Sequence, residues 1–327
     1  MNERERILHF AAHLPRAPGP LAEPFDCDAE LIGIGGERWA ITVDEFTPEE
    51  DAFTAEDPVR LGRNLAAATV SDLFAAGAVP RFFLSSLALP RALDAGWLDG
   101  LSRGLGASLA ELGCVHSGGD LGTAEPWRFN GIALGPVLSP APLTHRLPDG
   151  PQTLCVTGAL GDLNLAAFLG TPTPAIELRA READLIRRLG TACVDTSGGF
   201  FDALWLLHER NPGRRFVVDR AAIPLAEGVA AAARARGWPP EAALLGGAGE
   251  YELLFAMPSD RLASARGELA ARGISVVGEV RGGAGGVAVR WEGAERPFAG
   301  PPPDPRAAGS AAEHAQAVLR AAAEFFS

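Results

Sequence analysis

The sequence contains no lysine, a single tyrosine, two methionines and only four cysteines. Without lysine there is no Walker-type phosphate loop, because that loop needs the lysine ammonium against the phosphates. Cys27, Cys114, Cys155 and Cys193 lie far apart and never form a CxxC pair, which argues against a zinc knuckle and a disulfide scaffold. Reduced thiols in a cytoplasm are the simplest expectation. Basic charge is also short: 29 basic against 41 acidic residues give a formal net charge of -12. A non-specific nucleic-acid binder or a protein held to anionic membranes is disfavoured on that balance. The start, Met1-Asn2-Glu3-Arg4-Glu5-Arg6, is charged and leads into no apolar run of signal or membrane length, so neither export nor membrane insertion is expected.

What the chain does have is 327 residues with 47% hydrophobic and 21% charged content. That describes a globular protein of about two domains. Residues 1–27 read as an N-terminal arm with a short helix and a Pro-rich connection. Residues 30–34 and 38–43 are apolar runs flanking Gly35-Gly36-Glu37, a hairpin signal. The second run ends on Asp44, either a cation ligand or part of a solvated acidic loop. From Asp57-Pro58 a long apolar helix is predicted, capped by the aspartate and ended by Gly77. It contains Asp72, whose charge near the helix C-terminus opposes the macrodipole, so that residue either faces solvent or is held by a cation.

Strands follow at 79–89 and 128–137, with a helix over 93–113 between them. Ser117-Gly118-Gly119-Asp120 offers two permissive glycines and a carboxylate, a pattern that suits a tight turn or a backbone beside a metal-bound polyphosphate. Residues 153–157 begin a second domain. Gly158 to Gly161 form a glycine turn before a helix, without the dinucleotide fingerprint, and read as connection and packing. A strand at 192–194 runs into Asp195-Thr196-Ser197-Gly198-Gly199 and another helix. A glycine loop feeds a strand through Glu250-Tyr251-Glu252, and a Pro-rich linker at 297–305 precedes a C-terminal amphipathic helix.

Asp28, Asp44, Asp72, Asp120 and Asp195 fall at strand ends, late in a helix or in glycine turns. Convergent, they would hold hard cations such as Mg²⁺; spacing alone fits scattered surface carboxylates equally well. The order of motifs resembles the thiamine-monophosphate kinase family, within the superfamily of aminoimidazole ribonucleotide synthetase, selenophosphate synthetase and a hydrogenase maturation protein. The pieces are Asp28-Ala29, Ile41-Thr42-Val43-Asp44, the run from Val70 to Pro80, Leu87-Ala88-Leu89-Pro90, Ser117-Gly118-Gly119-Asp120, Val156-Thr157-Gly158, Val194-Asp195-Thr196-Ser197 and Tyr251-Glu252-Leu253-Leu254-Phe255. They span roughly residues 25 to 300 in order.

The resemblance implies a PurM-like two-domain α/β (α+β) fold. An N-terminal arm (1–27) would precede an ATP- and metal-binding domain (28–145) whose strands build a dimer barrel. A C-terminal α+β domain (146–300) and a linker with a final helix (301–327) would follow. It implies ATP and Mg²⁺ as cofactors, transfer of the γ-phosphoryl group to thiamine monophosphate or another small acceptor, a homodimer, and no nucleic-acid or membrane partner. Carried over by motif, Asp28, Thr42, Asp44, Asp72, Asp120 and Asp195 would hold metal. Gly119, Asp120, Arg146 and Ser197 would contact ATP, with Phe53 and Glu250 on the substrate side. No nucleophilic side chain is expected, since such transfer relies on positioning and charge neutralisation.

The departures are specific. The family's adjacent Asp-Asp is Cys27-Asp28, with Asp26 a partial substitute; its Ser-Asp-Gly is Ser197-Gly198-Gly199, which deletes a carboxylate expected to hold metal. Its substrate-side His corresponds to Ala52, and its Gly-Gly-Glu-Asp-Tyr-Glu to Gly247-Ala248-Gly249-Glu250-Tyr251-Glu252. The catalytic Cys or Lys of a selenophosphate synthetase and the C-terminal cysteine of the hydrogenase protein have no counterpart. The alternative to a kinase is a dimeric nucleotide-binding relative without chemistry.

Overall fold

The computed structural model describes residues 3–15, 21–48, 51 and 53–326. In chain order the elements are α1 (Glu3–Ala11), β1 (Glu30–Ile34), β2 (Glu37–Phe46), α2 (Pro58–Ala75), β3 (Phe82–Leu89), α3 (Ala95–Leu112), β4 (Val115–Thr123), β5 (Arg128–Pro136) and β6 (Gln152–Val156). Then come α4 (Asp162–Leu169), α5 (Ala180–Leu189), β7 (Ala192–Asp195), α6 (Phe200–Arg210), β8 (Arg214–Asp219), α7 (Val229–Arg234), β9 (Leu253–Pro258), α8 (Leu262–Ala271), β10 (Ser275–Gly282), β11 (Gly286–Trp291), β12 (Ala294–Phe298) and α9 (Ala311–Phe326).

Two sheets organise these elements. The first runs β1-β2-β5-β3-β4, with only β3 and β4 parallel. On β2, Ala40, Thr42 and Phe46 are buried while Val43 is 62% exposed, the period-two pattern of a sheet with one covered face. The cover is α2, capped by Asp57, whose side chain accepts from Arg60 N, and crossed closely by α3. Gly104 permits that crossing, for a Cβ there would lie 1.9 Å from the Val59 carbonyl oxygen. The opposite face carries Trp39, Ile41, Val43, Phe82, Leu84, Ile132 and Leu134 in register, and no element of the chain among the described residues covers it. Trp39 and Phe82 stack there at 6.3 Å.

The second sheet runs β12-β11-β8-β10-β6-β9-β7. β6, β9 and the edge strand β7 are buried on both faces, as their continuous apolar runs require. One face, through Cys155, Cys193, Phe255 and Met257, joins the core built by α2, α5 and the first sheet; the other, through Leu154, Val194, Leu254 and Ala256, packs on α6 and α9. The ends of β2 and β7 and the last turn of α2 therefore meet where the two sheets approach.

Several sequence expectations shift. Ser117-Gly118-Gly119-Asp120 is no turn but the middle of β4, an edge strand. Its glycines serve a bulge against β3: Gly118 has φ 132, and a Cβ on Gly119 would stand 2.0 Å from the Ser85 carbonyl oxygen. Residues 297 and 298, assigned to the start of the Pro-rich linker, instead end β12, because an edge strand tolerates Pro297 without losing ladder hydrogen bonds.

Candidate metal and nucleotide site

At the meeting of the two sheets, oxygens of Asp28, Asp72 and Asp195 lie within 4.8 Å of one another. Each arrives from a different element: Asp28 from the loop before β1, Asp72 from the last turn of α2, Asp195 from the end of β7. Thr42 Oγ1 on β2 donates to Asp72 Oδ2 at 2.5 Å. Asp28 Oδ2 accepts from the Asp195 backbone N–H at 2.9 Å, tying the N-terminal loop to the second sheet. Ser197 holds Asp195 Oδ1 through its N–H at 3.1 Å and its hydroxyl at 2.6 Å.

The electrostatics are one-sided. Burial first, and then neighbouring carboxylates, push Asp44 up to about 8 and Asp195 to about 6, and hold Asp72 well above the ordinary range. Asp44 belongs to this field, since Asp195, Asp51 and Asp28 all raise it. Among the described residues, the group's neighbour that can carry positive charge is His145, 2% exposed, whose Nε2 lies 2.8 Å from Asp28 Oδ1 and whose Nδ1 lies 2.9 Å from the Phe25 carbonyl oxygen. With both ring nitrogens facing acceptors, the charged form satisfies both contacts. Burial opposes that charge, but Asp28 and the hydrogen bonds outweigh it and raise the pKa.

This donor set fits a divalent cation. The Ser71 hydroxyl lies near enough to Asp195 to lower its pKa, yet neither Ser71 Oγ nor Asp195 Oδ2 has a hydrogen-bond partner in good geometry, which is costly unless a ligand completes them. All the donors are oxygens, the preference of Mg²⁺ rather than of thiophilic metals. Cys27 and Cys193 lie beside the group, but burial keeps their thiols protonated, so they do not compete as ligands.

The structure thus brings together Asp28, Thr42, Asp44, Asp72, Asp195 and Ser197, and resolves Asp72 as inward-facing. Asp120 is not with them. Register aligns Asp44 with Gly131, Ser85 and Gly119 on the α2 side, and Asp120 with Ser86, Asn130 and Glu45 on the uncovered side. Within one chain Asp120 is therefore three strands from Asp44, roughly 14 Å, on the opposite face. Asp26 does not substitute in the cluster either: it is 3% exposed and pairs with Arg146, with Arg210 at 3.7 Å. Arg146 keeps half its side chain in solvent. Phe53 is buried between Phe46 at 5.4 Å and Tyr251 at 6.1 Å, so its ring packs the wall next to Asp51 rather than standing on open surface. Glu250 is buried behind the glycine loop, where Asn164 donates to its Oε1 at 2.7 Å; burial and then Asp162 raise it to about 8. Ala52 lies outside the described residues.

His145 and Ser71 were not singled out from sequence. Their signal was adjacency, His145 beside Arg146 and Ser71 beside Asp72, which carries no direction until the chain folds.

Comparison with known proteins bears on the fold and the family likeness. The family model "AIR synthase related protein, N-terminal domain" matches residues 27–137, which hold four of the clustered positions. A thiamine-monophosphate kinase of Pyrococcus horikoshii is 28% identical over 281 residues, covering 82% of this chain and 87% of its own. Among solved structures, AaThiL complexed with AMPPCP and TMP superposes with a TM-score of 0.74 at 20% identity, covering 90% of this chain and 96% of that one. A HypE–HypF complex gives 0.75 at 18% identity, with 92% and 100% covered. Over most of its length the chain is similar to thiamine-monophosphate kinases, and it has the PurM-like fold of the solved structures it resembles.

Proposed function

We propose that this chain is an ATP- and Mg²⁺-dependent phosphotransferase that moves the γ-phosphoryl group to thiamine monophosphate or to another small phosphorylated or carboxylated acceptor. The observation that carries the reading is the buried oxygen cluster of Asp28, Asp72 and Asp195, with Asp44 beside it and an unsatisfied oxygen on Asp195. Divalent cations bound there would bridge phosphate oxygens and offset their charge. The chain's own groups do the rest. Asp28, Asp44, Asp72 and Asp195 hold the cations, Thr42 and Ser197 orient Asp72 and Asp195, and His145 steadies Asp28. Arg146, anchored by Asp26 at one edge of its guanidinium, keeps exposed N–H groups for a phosphate. No side chain is required as a nucleophile.

A second copy belongs to this reading. The uncovered apolar face of the first sheet would be buried in a homodimer, which would also change the surroundings of Gly119 and Asp120. We divide the chain into domains at 28–145 and 146–300, and place it in the cytoplasm on the strength of its four unpaired thiols. Among the described residues no helix is long and apolar enough to cross a membrane.

Purified protein with ATP, Mg²⁺ and thiamine monophosphate is expected to form thiamine diphosphate and ADP. ADP formed only with a different acceptor would reassign the substrate. Bound ATP without turnover on any acceptor would leave the non-catalytic reading, which the absence of a carboxylate at Gly198 favours.

A further inference from the structure

A cavity of about 300 Å³ opens between α3 and the strands β3, β4 and β5, and none of its lining residues belongs to the cation group. Its helical wall is one face of α3, on which Leu98, Leu101, Leu105 and Leu109 recur at helical spacing. Leu87 and Phe129, paired in register on β3 and β5, line it from the sheet. Gly106 leaves a gap in the helical wall, since a Cβ built there meets no atom within 4 Å. The polar atoms come from both sides. Along β4 the bulge sets His116 to Gly119 against only Phe83 to Ser85 on β3, which turns both ends of the bulge to the same side of the sheet. His116 Nε2 thereby comes to 3.0 Å from Ser85 Oγ, and Ser102 adds a hydroxyl from α3. No lining residue other than His116 can carry charge.

We propose that this cavity binds a neutral heteroaromatic molecule of one or two rings, with its faces against the leucines and its hydrogen-bonding edge at His116 and Ser85. The site lies outside the phosphotransfer reading, and binding alone tests it. Its volume is at the small end for ligand sites, which suits one or two rings rather than a larger molecule. A charged group would lose its water there with no opposite charge in return, and this selects a neutral ligand. The hydroxyl and the imidazole between them offer donors and acceptors, which a ring nitrogen and a ring N–H complement. The base of a nucleotide and a separate small molecule share that chemistry.

The measurement is saturation-transfer-difference NMR on the full-length protein with two probes, benzimidazole and indene, which match in size while indene has no polar edge. Benzimidazole is expected to bind with a Kd of about 1 mM, the weak affinity of so small a molecule. His116→Leu, at an exposed position, is expected to weaken benzimidazole about tenfold, the scale of one hydrogen bond, and to leave indene unchanged. Gly106→Phe and Ser102→Phe each put a ring into the space from the α3 wall, and each is expected to abolish binding of both probes. Absence of benzimidazole binding to the parent would overturn the site. So would binding to the plugged variants as strong as to the parent, because the rings would then lie on another surface, such as the bare face of the first sheet. An equal effect of His116→Leu on the two probes would overturn the heteroaromatic class. Saturating ATP separates the two sources: displacement of benzimidazole identifies the base of a nucleotide, and retention identifies a separate molecule.

Discussion

At the scale of single residues, the site is defined by buried carboxyl groups whose pKa values are raised by burial and by one another. Asp44 at about 8 and Asp195 at about 6 hold protons in the folded chain that the unfolded chain releases near pH 4. Such groups favour folding below about pH 4 and lose that contribution as pH rises through 6 and 8. A divalent cation competes with those protons, so its stabilising effect grows with pH. Melting curves with and without Mg²⁺ are expected to show a larger rise in Tm at pH 8 than at pH 5, and equal rises would place the bound cation elsewhere. The candidate residues were legible as types in the sequence, because a carboxylate after a strand or in a glycine turn is a recognisable position. Their partnership was not: Asp28 and Asp195 are 167 positions apart and meet through a single N–H···O hydrogen bond.

At the scale of elements, the C-terminal segment is part of the structure behind the site. Helix α9 buries Val318, Ala322 and Phe326 against the outer face of the second sheet, where Phe326 sits near Phe201 and Trp291. The strap before it is pinned by His314 Nε2 to the Pro303 carbonyl oxygen at 3.1 Å. Pro305 lies against Gly247, in the loop that borders Gly199 and leads to Glu250. Phe326→Ala is expected to destabilise the protein by about 3 kcal/mol, as for other buried aromatic truncations; urea denaturation measures it. A loss under 1 kcal/mol would mean that α9 is an appendage. The amphipathic pattern made α9 readable as a helix, but its docking surface needed the sheet, and β12 was hidden because Pro297 suppresses the strand signal everywhere except at an edge.

At the scale of the whole molecule, the unresolved balance is the bare apolar face of the first sheet. Val43 is 62% exposed there and Phe82 40%, beside the stacked Trp39, an arrangement that a lone chain leaves in contact with water. Val43→Glu introduces a charge at the middle of that face while Thr42 and Asp44 point the other way. The parent is expected to sediment as a dimer and Val43→Glu as a monomer, and a parent that is monomeric at micromolar concentration would refute the homodimer. The sequence by itself determined which residue types were available, an acidic, lysine-free chain rich in glycine turns, and through the order of its motifs it specified the PurM-like fold. Local chemistry is enough for that, since caps, periodicity and turn residues act over a few positions. Only the tertiary structure decided which aspartates share a site. Sheet register put Asp44 and Asp120 on opposite faces of one sheet, and packing of the two sheets brought Asp28, Asp72 and Asp195 within reach of one cation. Both depend on contacts between residues far apart in sequence, which no local pattern encodes.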